Sequence, residues 1–153
     1  MHNWFECKVK FEKTAAEGSI IKVSESYLVD AFSFTEAEER ITREMKPFIS
    51  GEFTVANIKR VKINEIFFDE SGDKWYRSKV NFVTYDEESQ TEKRTAVTMF
   101  LQAADFTHAL ENLKKGMQGT MADYEIASIT ETLLMDVFRF QDSEVPAHLV
   151  SEN

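Results

Sequence analysis

Hydrophobic and polar positions alternate along this chain with two periods, and the same succession is written twice. Between residues 4 and 11, Phe5, Cys7, Val9 and Phe11 alternate with Trp4, Glu6, Lys8 and Lys10, the period-two pattern of a strand with one buried face. The pattern returns at 75–82, where Tyr76, Ser78, Val80 and Phe82 alternate with Trp75, Arg77, Lys79 and Asn81. A polar turn follows in each case, holding Gly18 in the first and "DEESQTE" (86–92) in the second. A further strand then ends near Asp30 or Gln102, so each stretch predicts a β-hairpin.

After each hairpin the period changes. Phe34, Ala37, Ile41 and Met45 form one apolar stripe, and Phe106, Ala109, Leu110, Leu113 and Met117 form the other, both at helical spacing. Ser33 and Asp105 precede these stripes at equivalent places and suit the N-cap, where a side-chain oxygen takes a backbone N–H of the first turn. Ser33 with Glu36 completes a capping-box pattern, and Pro47 and Gly119 mark the exits. Alternation rich in β-branched and aromatic residues resumes over 52–68 and 123–140, each read as one bent strand or two short ones. The turn "DESGDK" (69–74) is too short to be a linker, and it predicts that the last strand of the first half pairs antiparallel with the first strand of the second.

The correspondence runs residue by residue. Trp4, Lys8, Val9 and Phe11 recur as Trp75, Lys79, Val80 and Phe82, each 71 positions later, and the helical stripes match at a spacing of 72. In the closing blocks Phe53, Val55, Ile58 and Phe67 match Tyr124, Ile126, Ile129 and Phe138, again at 71. The expectation is an α+β fold of tandem duplicated ββαβ(β) units, mainly antiparallel, with one helix per unit and a pseudo-twofold axis. Residues 1–140 would form a single compact domain made of repeats 3–68 and 74–140. The polar stretch 141–153, with Pro146, would be a loosely ordered tail.

Composition narrows the classes. In 153 residues, 27 acidic against 18 basic side chains give a formal charge of −9, which opposes non-specific attraction to nucleic acid or anionic lipid. Any such partner would need a local patch. Thirteen Phe, four Tyr and two Trp point to a core packed by aromatic rings. With one cysteine, Cys7, no intramolecular disulfide can form, which fits a reducing compartment and a cytoplasmic address. No apolar run approaches the roughly 18 residues of a membrane span, and the N-terminus lacks the pattern of a signal peptide.

Candidate chemistry is sparse. His2, His108 and His148 are not spaced as metal ligands or as partners of a nucleophile, so neither a metal nor a cofactor is expected. Cys7 falls on an apolar strand face and reads as a structural thiol. Asp123 and Glu125 could serve an acid–base or hydrolytic site only if they converge in a cleft. No phosphate-binding glycine loop or nucleophile elbow occurs, and an enzyme is unsupported.

One constellation remains. Trp4, Lys8 and Lys10, with Trp75, Arg77 and Lys79 in the second half, share the strand face opposite the apolar alternation, and "KRVK" (59–62) adds positive charge. Aromatic and basic side chains on a sheet suit single-stranded nucleic acid, while Trp and Arg also mark places where subunits meet. The alternative is that another element covers the rings and that only the lysine stems run along the edge.

The runs "NWFECKVKFEKT", "YLVDAFSFTEAEERI", "PFISGEF" and "GTMADYEIASITET" resemble an uncharacterised family of short proteins from gut Bacteroidetes, known as a domain of unknown function. The resemblance spans residues 3 to about 138 and implies a bacterial, cytoplasmic protein without supplying any catalytic residue. The functional expectation is a non-enzymatic binding or assembly module acting through protein–protein contacts or as a homo-oligomer. A single-stranded nucleic-acid binder using the six named residues is the alternative. No membrane partner is expected.

Overall fold

A computed structural model describes residues 3–140, so the expectation for 141–153 lies outside the described residues. Among the described residues the chain is α+β, with two helices and two four-stranded, mainly antiparallel sheets. Ten elements follow one another: β1 (Asn3–Thr14), β2 (Ile20–Ala31), α1 (Phe34–Met45), β3 (Phe53–Val61), β4 (Glu65–Phe67), β5 (Lys74–Asp86), β6 (Thr91–Ala103), α2 (Phe106–Gly116), β7 (Asp123–Glu131) and β8 (Leu134–Phe138). They divide into two compact units. Among the described residues, unit 1 holds 3–62 together with 134–140, and unit 2 holds Ile63–Leu133.

In unit 1 the strand order is β3-β1-β2-β8. The β1–β2 hairpin is antiparallel from Asn3↔Ala31 to Thr14↔Ile20, β3 pairs antiparallel with β1, and β8 pairs parallel with β2. Alternation in β1 puts Phe5, Cys7 and Val9 on the face beneath α1, all fully buried beside Tyr27, Val29, Ala37, Ile41 and Met45. Ser33 caps α1 by accepting from the Glu36 N–H at 3.1 Å, and the Glu36 carboxylate accepts from the Phe32 N–H at 3.2 Å. Phe34, expected in the stripe, stays half exposed. Its ring packs edge-to-face with Phe5, centroids 4.9 Å apart, and lies under the Arg60 guanidinium.

Unit 2 has the order β4-β6-β5-β7, with β5 and β6 antiparallel from Lys74↔Ala103 to Asp86↔Thr91, β7 antiparallel to β5 and β4 parallel to β6. Tyr76, Val80, Met99, Leu101, Ala109, Leu113 and Met117 fill its core. Ser78, which stands where the first half has Cys7, is also buried and donates from Oγ to the Ser128 carbonyl at 2.9 Å. Asp105 caps α2 by accepting from the His108 N–H at 2.8 Å.

The parallel strands correct the expected pairing across the 69–74 turn. β4 does not pair with β5, the next strand in the chain; it joins β6 in unit 2, and β8 at the far end of the second half joins β2 in unit 1. Each short strand therefore adds an edge to the sheet that the other half of the sequence supplies, and the compact units cut the chain differently from its written repeat. Phe67 of β4 lies against α2 where Gly116 leaves room, since a Cβ there would stand 2.5 Å from the Phe67 ring.

The turn after β4 is equally close-fitting. Gly72 is buried against the backbone of Ala103, at the end of β6, so that an added Cβ would overlap main-chain atoms that no rotamer change can move. Gly72→Ala is expected to lower stability by about 1–3 kcal/mol, the usual range for forcing extra volume into a packed site. Thermal unfolding of the variant checks this; an unchanged melting temperature would mean that the turn yields freely.

Candidate functional site

Register defines the sheet face turned away from each helix. In unit 1 it carries Trp4, Glu6, Lys8 and Lys10 of β1; Lys8 is opposite Ser26 and Asn57, Lys10 is opposite Ser24 and Thr54, and Glu6 is opposite Lys59. Lys8 and Lys10 are exposed and Trp4 is half buried. The face closes at one end, where Leu28 is 0% and Asp30 5% exposed. In unit 2, Arg77 and Lys79 are exposed, with Phe100 and Thr130 opposite the first, and Thr98 and Ser128 opposite the second.

Trp75 follows the covered alternative, being only 2% exposed. Phe68, just beyond β4, packs edge-to-face with the indole, ring centroids 5.6 Å apart, and the Trp75 carbonyl accepts from the Thr132 N–H at 2.9 Å and hydroxyl at 2.8 Å. The ring is enclosed and unavailable for stacking on a base. What stays open is a pair of cations in each unit bordered by hydroxyl and amide side chains. A β-bulge lies beside each pair, between Lys8 and Val9 in unit 1 and between Lys79 and Val80 in unit 2, with Ala56 and Ala127 the extra residues of the edge strands.

The other sequence candidates are engaged or inert. Burial pushes the Cys7 thiol up to about 12, which suppresses thiolate at neutral pH and leaves it structural. Asp123 and Glu125 lie on exposed β7. The Arg94 guanidinium donates to Glu125 at 2.7 Å and holds its carboxyl below the usual range. Among the described residues no group of three or more His, Cys, Asp or Glu is placed to hold a metal ion.

The densest polar cluster was not anticipated from the sequence, and it ties the β4 turn to α2 in unit 2. Asp69 Oδ1 accepts from the Ser71 hydroxyl at 2.6 Å and N–H at 3.0 Å, while Oδ2 accepts from Asn112 Nδ2 at 3.1 Å and meets His108 Nε2 at 2.9 Å. His108 Nδ1 accepts the Ala104 N–H at 2.9 Å, which assigns the ring proton to Nε2, donated to Asp69. With both nitrogens engaged, the imidazole is held as a second cap of α2, where Glu36 stands in α1. Asn112 also donates to the Gln102 carbonyl at 3.0 Å, and Gln102 clasps the turn through the Asp69 N–H at 2.9 Å and the Gly72 carbonyl at 3.1 Å. A cleft of about 540 Å³ borders this cluster, lined by Ile66, Phe67, Phe68, Asp69, Asn112 and Lys115.

Unit 1 uses Arg40 where unit 2 uses Asn112. Its guanidinium, fully buried, donates to the Asp30 carbonyl through Nη1 and to the Arg139 carbonyl at 2.8 Å through Nη2, joining the end of β2 to the chain leaving β8. The signal for both residues was position: Arg40 lies between Ala37 and Ile41, and Asn112 between Ala109 and Leu113, so a polar side chain stands within each apolar stripe.

Ser71, through its hydroxyl and N–H, and then Asn112 bring the Asp69 carboxyl down to about 2. A depressed carboxylate stabilises the folded state above the ordinary carboxylate range, and that contribution is lost as pH falls from about 4 toward 2. Asp69→Asn is expected to flatten this acid limb of the melting-temperature profile. An unchanged limb in the variant would assign the acid sensitivity to other carboxylates.

No helix among the described residues is long and apolar enough to cross a membrane. No curated protein matches the chain. Residues 3–140, nearly the whole length, match the family described as Domain of unknown function (DUF4494), and the chain belongs to that family.

Proposed function

We propose that this protein is a non-enzymatic binding or assembly module, acting through protein–protein contacts or self-association, and built by tandem duplication of one ββαβ(β) unit around a pseudo-twofold axis. Matched details support the duplication: equivalent caps at Ser33 and Asp105, bulges at Lys8 and Lys79, and polar helix residues at Arg40 and Asn112. Duplication would give the molecule two related surfaces. The bacterial, cytoplasmic setting rests on the resemblance of its sequence runs and on the single reduced Cys7.

The observation that carries the reading is the exposure of Lys8 and Lys10, and of Arg77 and Lys79, on helix-distal faces bordered by hydroxyl and amide groups. A protein partner recognised there would be lost when the four cations become Ser, with the fold intact by circular dichroism. Equal capture of one defined partner by both forms would exclude this face. The same cations favour a second reading, single-stranded nucleic acid held by its phosphates, with half-buried Trp4 as the reporter. Oligonucleotide quenching of Trp fluorescence that weakens steeply with salt supports it, and absence of quenching at low salt excludes it.

A further inference from the structure

Among the described residues the nine-residue strands β3 and β7 stand at the outer edges of their sheets, each hydrogen-bonded along one side, to β1 and β5 respectively. Exposed edges template further pairing unless something blocks them. The two edges differ in charge: β3 carries Lys59 and Arg60, both exposed, with Lys62 following, whereas β7 carries exposed Asp123, Glu125 and Glu131. Lysine on an edge normally deters pairing, but against an acidic strand the same charge becomes a selector.

We propose that a second copy of this chain occupies these edges, β3 of one copy pairing antiparallel with β7 of the next so that Lys59 faces Glu125. This names the occupant for the assembly reading above and rests on it. In that register the alternation of both strands agrees. Ile58 meets Ile126 and Val55 meets Ile129 on the helix-covered faces, where all four are half buried against their own cores. Lys59 meets Glu125 and Thr54 meets Thr130 on the opposite faces, while Arg60, which lies over Phe5 on the helix-covered face, falls opposite Tyr124.

Bulges ordinarily spoil an edge, because one strand carries a residue that the other lacks. Here each edge has one, Ala56 in β3 and Ala127 in β7, and in this register Ala56 and Asn57 fall opposite Ser128 and Ala127, so the two bulges overlap and the ladders beyond them stay in step. Glu125 already accepts from Arg94, and a carboxylate has about four lone-pair sites, which accommodates a second cation. The contact is heterologous, so it propagates from copy to copy unless a ring closes.

Light scattering after size exclusion at low salt tests this on the intact chain. The expected mass rises with concentration above the 17.7 kDa monomer and falls back in high salt. Lys59→Glu and Glu125→Lys, each alone, should shift association to at least about tenfold higher concentration, because like charges then face each other. An equimolar mixture of the two variants should associate again, since each new charge finds its complement on the other chain. Copies bearing Thr54→Cys, mixed with copies bearing Thr130→Cys, should form a disulfide-linked pair on mild oxidation, which fixes the register without altering charge. A monomer at every concentration overturns the proposal. Association that survives both reversals also overturns it while leaving assembly through another surface intact.

Discussion

A chain ending at Leu133 is expected to lose the structure of unit 1, while one ending at Phe140 keeps it. β8 is five residues long, yet Leu134 and Val137 are 8% and 4% exposed, and the Phe138 ring stacks on Tyr27 at 5.6 Å. Burying a side chain of this kind contributes about 1.5–3 kcal/mol. The two aliphatic groups alone supply about 3–6 kcal/mol, against a total of roughly 5–15 kcal/mol for a typical domain. Truncation also removes the Arg139 carbonyl that Arg40 holds, and it strips the edge of β2 of its parallel partner from Ser26 to Val29. Hydrogen exchange on the two truncated chains is the measurement, and loss of protection should concentrate in β1, β2, β3 and α1. A chain ending at Leu133 that protects these amides as well as the longer one would show β8 to be dispensable.

That dependence on a distant short strand explains what the sequence disclosed and what it withheld. The hairpins and helices were legible because local rules govern them. Phe5, Cys7 and Val9 alternate with polar neighbours, Ser33 and Asp105 satisfy first-turn N–H groups, and Ala37, Ile41, Ala109 and Leu113 recur at helical spacing, so each signal is complete within about a dozen residues. The partners of β4 and β8 were not legible, since three or five extended residues carry no mark of which strand they will join. A turn as short as 69–74 suggested β5 as the neighbour, but β4 lies parallel to β6 instead, and Gln102, Asn112 and Gly72 hold the turn in the shape that permits it.

The candidate face divides along the same line. Alternation placed Trp4, Lys8, Trp75 and Lys79 on one side of their strands, and that placement needs only period two. Whether a ring there is open depends on what folds over it, and Phe68, which lies seven positions before Trp75 and just past β4, closes the second indole. The lysines stay exposed because a charged head group in a dry interface would need a partner that these strands do not place opposite it.

Replacing Arg40 with Ala is expected to cost about 3–5 kcal/mol, more than an ordinary substitution on an amphipathic helix, because the side chain is fully buried and removing it leaves the carbonyls of Asp30 and Arg139 without its donors. Two contributions separate by choice of variant. Arg40→Met keeps most of the packed volume and loses the donors, and hydrogen bonds to a charged group are worth about 1.5–3 kcal/mol each. It should therefore fall between wild type and Arg40→Ala. Arg40→Lys keeps the charge but offers a flexible ammonium in place of a planar fork, and the two carbonyls, one at the end of β2 and one just past β8, require the fork. Asn112→Ala in unit 2 removes the same kind of link from a half-exposed position, so its loss should stay near 1–2 kcal/mol. Midpoints of urea unfolding at unchanged slope measure all four. If Arg40→Ala and Asn112→Ala cost the same, burial is not what gives the arginine its weight. If Arg40→Met matches wild type, packing of its stem and not the carbonyl link holds β8 in place.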